Sequence, residues 1–123
     1  MCSFFDSTLT SNSAIYDLGP SGAAMSELPL SAGAVMRRNN VRITGQDKPV
    51  LLLCNGFGYN QRMWDYLTPL LATQYQVIRF DHVGSGESDR QAYDATKYNH
   101  LQGYAHDVME ICQALGLHEA VLL

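Results

Sequence analysis

Hydrophobic and polar positions change rhythm several times along the chain, and each change predicts an element. In Val41-Arg42-Ile43-Thr44, β-branched and polar residues alternate, as in a strand with one exposed face. Gly45-Gln46-Asp47-Lys48-Pro49 supplies a turn, and Val50 to Cys54 is apolar at every position, as a strand covered on both faces of a parallel sheet should be. Asn60 then opens a predicted helix whose apolar positions are Met63, Trp64, Leu67, Leu70 and Leu71, with Pro69 expected to disturb its last turn. Tyr75 to Phe80 reads as the next strand, closing at Asp81 before the glycine-rich loop Val83 to Asp89. Tyr104, Val108, Ile111, Cys112 and Leu115 keep helical spacing, and Gly116 occupies the place of a left-handed C-terminal cap. Ala120 to Leu123 begins a further apolar strand. Strand, helix, strand, helix, strand predicts a doubly wound, mostly parallel α/β sheet.

Residues 1–36 break from this pattern, being rich in Ser, Thr, Gly and Ala with Asp6, Asp17 and Glu27 as their only acidic residues. They are expected to form a flexible leader to a folded part at 37–123, with Met36 or Met25 as alternative natural starts. At 123 residues the chain fits one domain, and 46% hydrophobic content with 16% charged residues suits a globular protein. The formal charge of -4 offers no basic stripe for nucleic acid or an anionic membrane. No apolar run approaches membrane-spanning length, and no charged n-region with an apolar core marks a secretory signal, so a cytoplasmic location is expected. Cys2, Cys54 and Cys112 lack the paired spacing of zinc or redox sites, and the four histidines form no ligand pattern. No metal or cofactor is expected.

Two loops at strand ends carry the candidate chemistry. In Asn55-Gly56-Phe57-Gly58 the glycines allow main-chain N–H groups to turn toward a developing oxyanion; the competing reading is a tight hairpin turn. Gly84-Ser85-Gly86 invites comparison with a dinucleotide fingerprint, but Asp89 stands where that motif needs its third glycine. Ser85 and Ser88 are expected to satisfy turn amides rather than act as nucleophiles, because no Gly-x-Ser-x-Gly elbow occurs. Cys54, at an apolar strand end, reads as a buried small hydrophobe.

Arg38-Asn39-Asn40-Val41, Asn55-Gly56-Phe57-Gly58 with Trp64, and Phe80-Asp81-His82-Val83-Gly84-Ser85-Gly86-Glu87-Ser88-Asp89 occur in order. Together they resemble the α/β-hydrolase subfamily of bacterial stress-sigma-factor regulator hydrolases and plant karrikin and strigolactone receptors. The stretch Tyr98 to Leu117 is similar to the helix preceding that family's nucleophile strand. The resemblance implies the N-terminal part of an α/β-hydrolase domain, ending before the nucleophile elbow, with the triad serine, acid and histidine outside the chain. It implies that Phe57 contributes one oxyanion N–H and that Phe57 and Gly58 border the substrate pocket. It further implies that the complete protein hydrolyses, or senses, a small hydrophobic ester or lactone; the alternative is a non-catalytic regulatory or interaction module, the remnant of a regulator that works through a protein partner. Asp81 and Gly84 to Asp89 match a loop that is structural in the family, and Asn55 departs from the family's usual histidine. The strand at Ala120 to Leu123 is expected to present a bare outer edge.

Overall fold

The computed structural model describes Cys2, Ser3 and residues 30–123. Five strands form one sheet: β1 (Cys2–Ser3), β2 (Arg42–Thr44), β3 (Val50–Leu53), β4 (Gln76–Arg79) and β5 (Val121–Leu122). Their spatial order is β1-β5-β3-β4-β2. The inner ladders β5–β3 and β3–β4 are parallel, while β1 and β2 pair antiparallel at the two edges. The β5 edge expected to be bare is therefore occupied over Cys2↔Leu122 and Ser3↔Val121.

Side-chain alternation along β3 sends Leu52 to one face and Leu51 and Leu53 to the other. Leu52 joins Ile78 and Phe80 under two helices, α1 (Ala32–Arg38) and α3 (Leu101–Ala114), which contribute Val35, Val108, Met109, Ile111 and Cys112. Leu51, Leu53 and Val77 meet Trp64 and Leu71 on the opposite face. Each of these buried aliphatic side chains contributes about 1.5 to 3 kcal/mol by leaving water. The reversal of strand order after β4 accounts for the two layers, since right-handed crossovers in opposite directions lie on opposite faces.

The single helix expected after Asn60 is two short pieces. Asn60 Oδ1 accepts from the Arg62 amide at 3.0 Å and caps a 3-10 turn at Gln61–Trp64, and α2 (Thr68–Leu71) follows. Pro69 explains the break, because it sits in the first turn of α2, where its missing N–H costs nothing. Met63, Leu67 and Leu70 consequently remain exposed rather than lining an apolar face.

Helix α1 begins inside the segment whose composition predicts a leader. Ser31 caps it through the Ala34 amide at 3.2 Å, and Val35 is buried. The alternative starts at Met25 and the rest of 4–29 lie outside the described residues.

Candidate functional site

The helical segments that follow β3 and β4 pack on opposite faces of the sheet, and the carboxyl ends of two such strands are where open α/β sheets build binding crevices. From β3 the loop runs through Asn55 into a four-residue turn, with Tyr59 N–H donating to Gly56 O at 3.1 Å. Gly58, third in this turn, has φ of 85°, the left-handed value a type II turn requires there. The tight Asn-Gly hairpin is thus not formed. The turn's hydrogen bond uses the Tyr59 amide and leaves those of Phe57 and Gly58 outside it. Phe57 stands 86% exposed, and its ring meets Tyr104 of α3 edge-on, with centroids 6.3 Å apart.

From β4 the chain enters a loop organised by Asp81. Its Oδ1 accepts from the Gln61 amide at 2.8 Å, and its Oδ2 accepts from Asn40 Nδ2 at 2.9 Å and the Glu87 amide at 3.0 Å. Burial alone would raise this carboxyl, but the donors outweigh it and hold Asp81 below the ordinary carboxylate range. Asn39 fixes the same residue from behind: its main-chain carbonyl accepts from the Asp81 amide at 2.8 Å, and its Nδ2 donates to the Asp81 carbonyl at 2.9 Å. Ser85 Oγ donates to His82 O at 2.9 Å, and Ser88 Oγ donates to Ser85 O at 2.6 Å while accepting from the Gly84 amide at 3.2 Å. Both serines are therefore turn-formers, as expected, and among the described residues their hydroxyls bond main-chain groups of the loop.

Behind the loops lies a network that sequence reasoning missed. Asp107, fully buried on α3, accepts from Lys97 Nζ at 2.7 Å and Tyr98 Oη at 2.8 Å, and Arg38 Nη2 lies 3.1 Å from its Oδ1 without hydrogen-bond alignment. Arg38 also donates to Glu110 at 2.6 Å and, through Nε, to Asn39 Oδ1 at 2.7 Å. Polar links thus run from α3 through Arg38 and Asn39 to Asp81. Asp107 shares a helix stripe with Tyr104, Val108 and Ile111, and a carboxylate on an apolar stripe was the available signal. Burial pushes the Tyr98 hydroxyl well above its ordinary value, reinforced by the Asp107 charge. His106, Asp107 and Glu110 bring ligand-type atoms within 4.8 Å of one another, but the two carboxylates already face Arg38 and Lys97, which a metal ion would have to displace.

Burial pushes both Cys54 and Cys112 up to about 12, the reverse of nucleophile activation. A separate concavity of about 430 Å³ opens beyond Asp81, lined by residues including Arg42, Arg62 and Arg79. Arg42 faces Glu87 at 3.1 Å, while Asp65 faces Arg79 at 2.7 Å and Arg62 at 3.8 Å, so each guanidinium there has a carboxylate neighbour.

The sequence pattern of the alpha/beta hydrolase fold matches residues 49–123, a span from just before β3 to just past β5. The chain belongs to the α/β-hydrolase family. Among the relatives of this α/β-hydrolase chain, a karrikin insensitive 2 receptor of Petunia hybrida is 37% identical over 81 residues, covering 66% of the chain and 30% of the relative. A probable esterase of Oryza sativa subsp. japonica is 38% identical over 90 residues, covering 72% and 33%. A solved hydrolase from Oleispira antarctica superposes with a TM-score of 0.69 at 44% identity, over 73% of this chain and 33% of that one. The chain spans about a third of the length of the curated relatives it matches. Among the described residues no helix is long and apolar enough to cross a membrane.

Proposed function

We propose that this chain carries the oxyanion loop of an α/β-hydrolase whose complete form hydrolyses, or binds as a sensor, a small hydrophobic ester or lactone in the cytoplasm. The observation that carries the reading is the Gly56–Tyr59 turn, which leaves the Phe57 amide outside its own hydrogen bond at the carboxyl end of a central parallel strand. A preorganised amide in that position stabilises the negative charge that builds on a carbonyl oxygen during acyl transfer. Phe57 N–H is one donor of the pair such a hole needs, and Phe57 and Gly58 border the ligand. The nucleophile, its base and the second donor come from elsewhere in the complete enzyme. The esterase and receptor relatives support hydrolysis and ligand sensing respectively. In a sensor the bound ligand would act by recruiting a regulatory protein.

The test separates the loop from the rest of the machinery. The chain alone should show no serine-dependent hydrolysis of a nitrophenyl acetate and no fluorophosphonate labelling, since hydroxyls without an elbow or base are not activated. Joined to the uncovered remainder of the Oryza sativa esterase, it should restore turnover. In that fusion Phe57→Pro removes the amide hydrogen at a turn position that accepts proline, and kcat should fall about 10²- to 10³-fold. Undiminished kcat would overturn the assignment of Phe57, and labelling of Ser85 or Ser88 would overturn the assignment of the serines.

A further inference from the structure

We propose that the outer edge of β5 is a strand-docking surface for a second copy of this chain, and that Cys2–Ser3 is the tethered occupant that keeps that copy off. By its packing β5 belongs to the interior of the sheet. Ala120 is buried and Leu122 packs against the cluster under α1 and α3, while Val121 packs with Leu51, Leu53 and Val77 on the opposite face. The main-chain groups of successive strand residues point to alternate edges. Leu123 N–H donates to Leu52 O at 3.0 Å and Leu123 O accepts from Cys54 N–H at 2.8 Å, so residue 123 is turned to β3. Residue 122 is therefore turned outward, where Cys2 stands opposite it and Ser3 stands opposite Val121. Cys2 and Leu122 form the closely bonded pair of this ladder, exchanging both N–H···O bonds, and Ser3 and Val121 form the non-bonded pair beside it.

The cover is short, two residues on one side of the ladder and two on the other, so little holds it in place. What it covers is a main-chain edge, which recognises strand direction more than side-chain identity. That direction names the second occupant. β1 runs antiparallel to β5. Two copies of β5 related by a two-fold axis also run antiparallel, so the edge is complementary to itself in the orientation it is seen to accept. Such a dimer would join two sheets into one and give half-buried Val121 and Leu122, with Leu123 at 43% exposure, new neighbours across the axis. An apolar strand with an unpaired edge is the feature that recruits another chain. Carried on the same chain, β1 competes without dilution, so it holds the edge at concentrations where a second copy does not.

The proposal is independent of the oxyanion reading and is tested on this chain alone, by sedimentation and amide exchange over a range of protein concentrations. Cys2→Pro removes the N–H that the Leu122 carbonyl accepts, and deletion of residues 1–3 removes the whole cover. The full chain should sediment as a monomer, with the Leu122 amide slow to exchange even when dilute. In either variant the mass should rise about twofold with concentration, the signature of a closed two-fold dimer. The Leu122 amide should exchange freely in the dilute variants and become protected again as the mass doubles. The Val121 amide, which alternation turns to β3, should stay protected throughout and report an intact sheet. A full chain that dimerises as readily as the variants would overturn the proposal. So would variants that stay monomeric or unfold, and so would a mass that doubles while the Leu122 amide still exchanges freely.

Discussion

Arg38 and Asp107 face each other across the α1–α3 contact with side chains only 6% and 0% exposed, the arginine nitrogen 3.1 Å from the carboxylate oxygen. Removing the arginine leaves a buried carboxylate with Lys97 and Tyr98 as its remaining partners. A broken buried pair typically costs about 3 to 5 kcal/mol, and the surviving donors put Arg38→Met at the lower end of that range. Urea titration of the wild type and the variant reads the difference directly.

A version of the protein beginning at Met36 should be markedly less stable than the full chain. It lacks Ser31, which caps α1, and Val35, which is buried against α3 and the sheet. Loss of the cap alone is worth about 1 kcal/mol. Truncating the buried side chain in the full-length protein, as Val35→Ala, should cost about 2 kcal/mol, with the midpoint of thermal unfolding as the check.

Gly86 should not accept a side chain. Its φ is 54°, and a Cβ there would stand 2.5 Å from both Cγ and Oδ2 of Asp81. Gly86→Ala would push the carboxylate off the Gln61, Asn40 and Glu87 donors, at a cost of about 2 to 4 kcal/mol from strain and lost hydrogen bonds together. Gly103→Ala makes the complementary point inside α3. Helix propensity predicts a gain of about 1 kcal/mol, but the new methyl would collide with the Lys97 carbonyl, so calorimetry should show a net loss.

Acid should weaken the fold over a defined interval. Burial would raise the Glu110 carboxyl, yet His106 and Arg38 outweigh it and hold the group near pKa 2, below its ordinary 4.5. A carboxyl depressed in the folded state contributes stability above its unfolded pKa, and that contribution is lost as pH falls from about 4.5 toward 2. Asp81 is shifted in the same direction. Glu110→Gln should therefore flatten part of the decline in the urea midpoint across this interval, with Asp81 accounting for more of what persists.

Much of the frame was legible because packing and sequence agree there. Val50–Leu53 is uniformly apolar and forms a central strand, and Gly116 has φ of 64° just past α3, as its position predicts. Helix α1 was hidden because its seven residues hold too few large apolar side chains to display a period, and its burial relies on Val35 and Arg38. The segment after Asn60 misled because Pro69 can begin a helix as readily as disturb one. At the candidate site the turn glycines were visible in the sequence. The supports were not: Asn39 and Asn40, past α1, donate to Asp81, past β4, and no local spacing encodes a contact between two separate elements.

The two faces of the sheet are covered unequally, and that inequality sets the order in which the molecule comes apart. On one side α3 runs for fourteen residues over the larger cluster; on the other, a 3-10 turn and a four-residue helix leave Tyr66 and Leu70 in water. Short helices have few internal hydrogen bonds to lose and little buried area to hold them. Amides of residues 61–71 should consequently exchange with deuterium through small local openings, while those in the middle of α3 wait for global unfolding. Among the described elements, the side of the sheet carrying Trp64 should open first and the Asp107 side last.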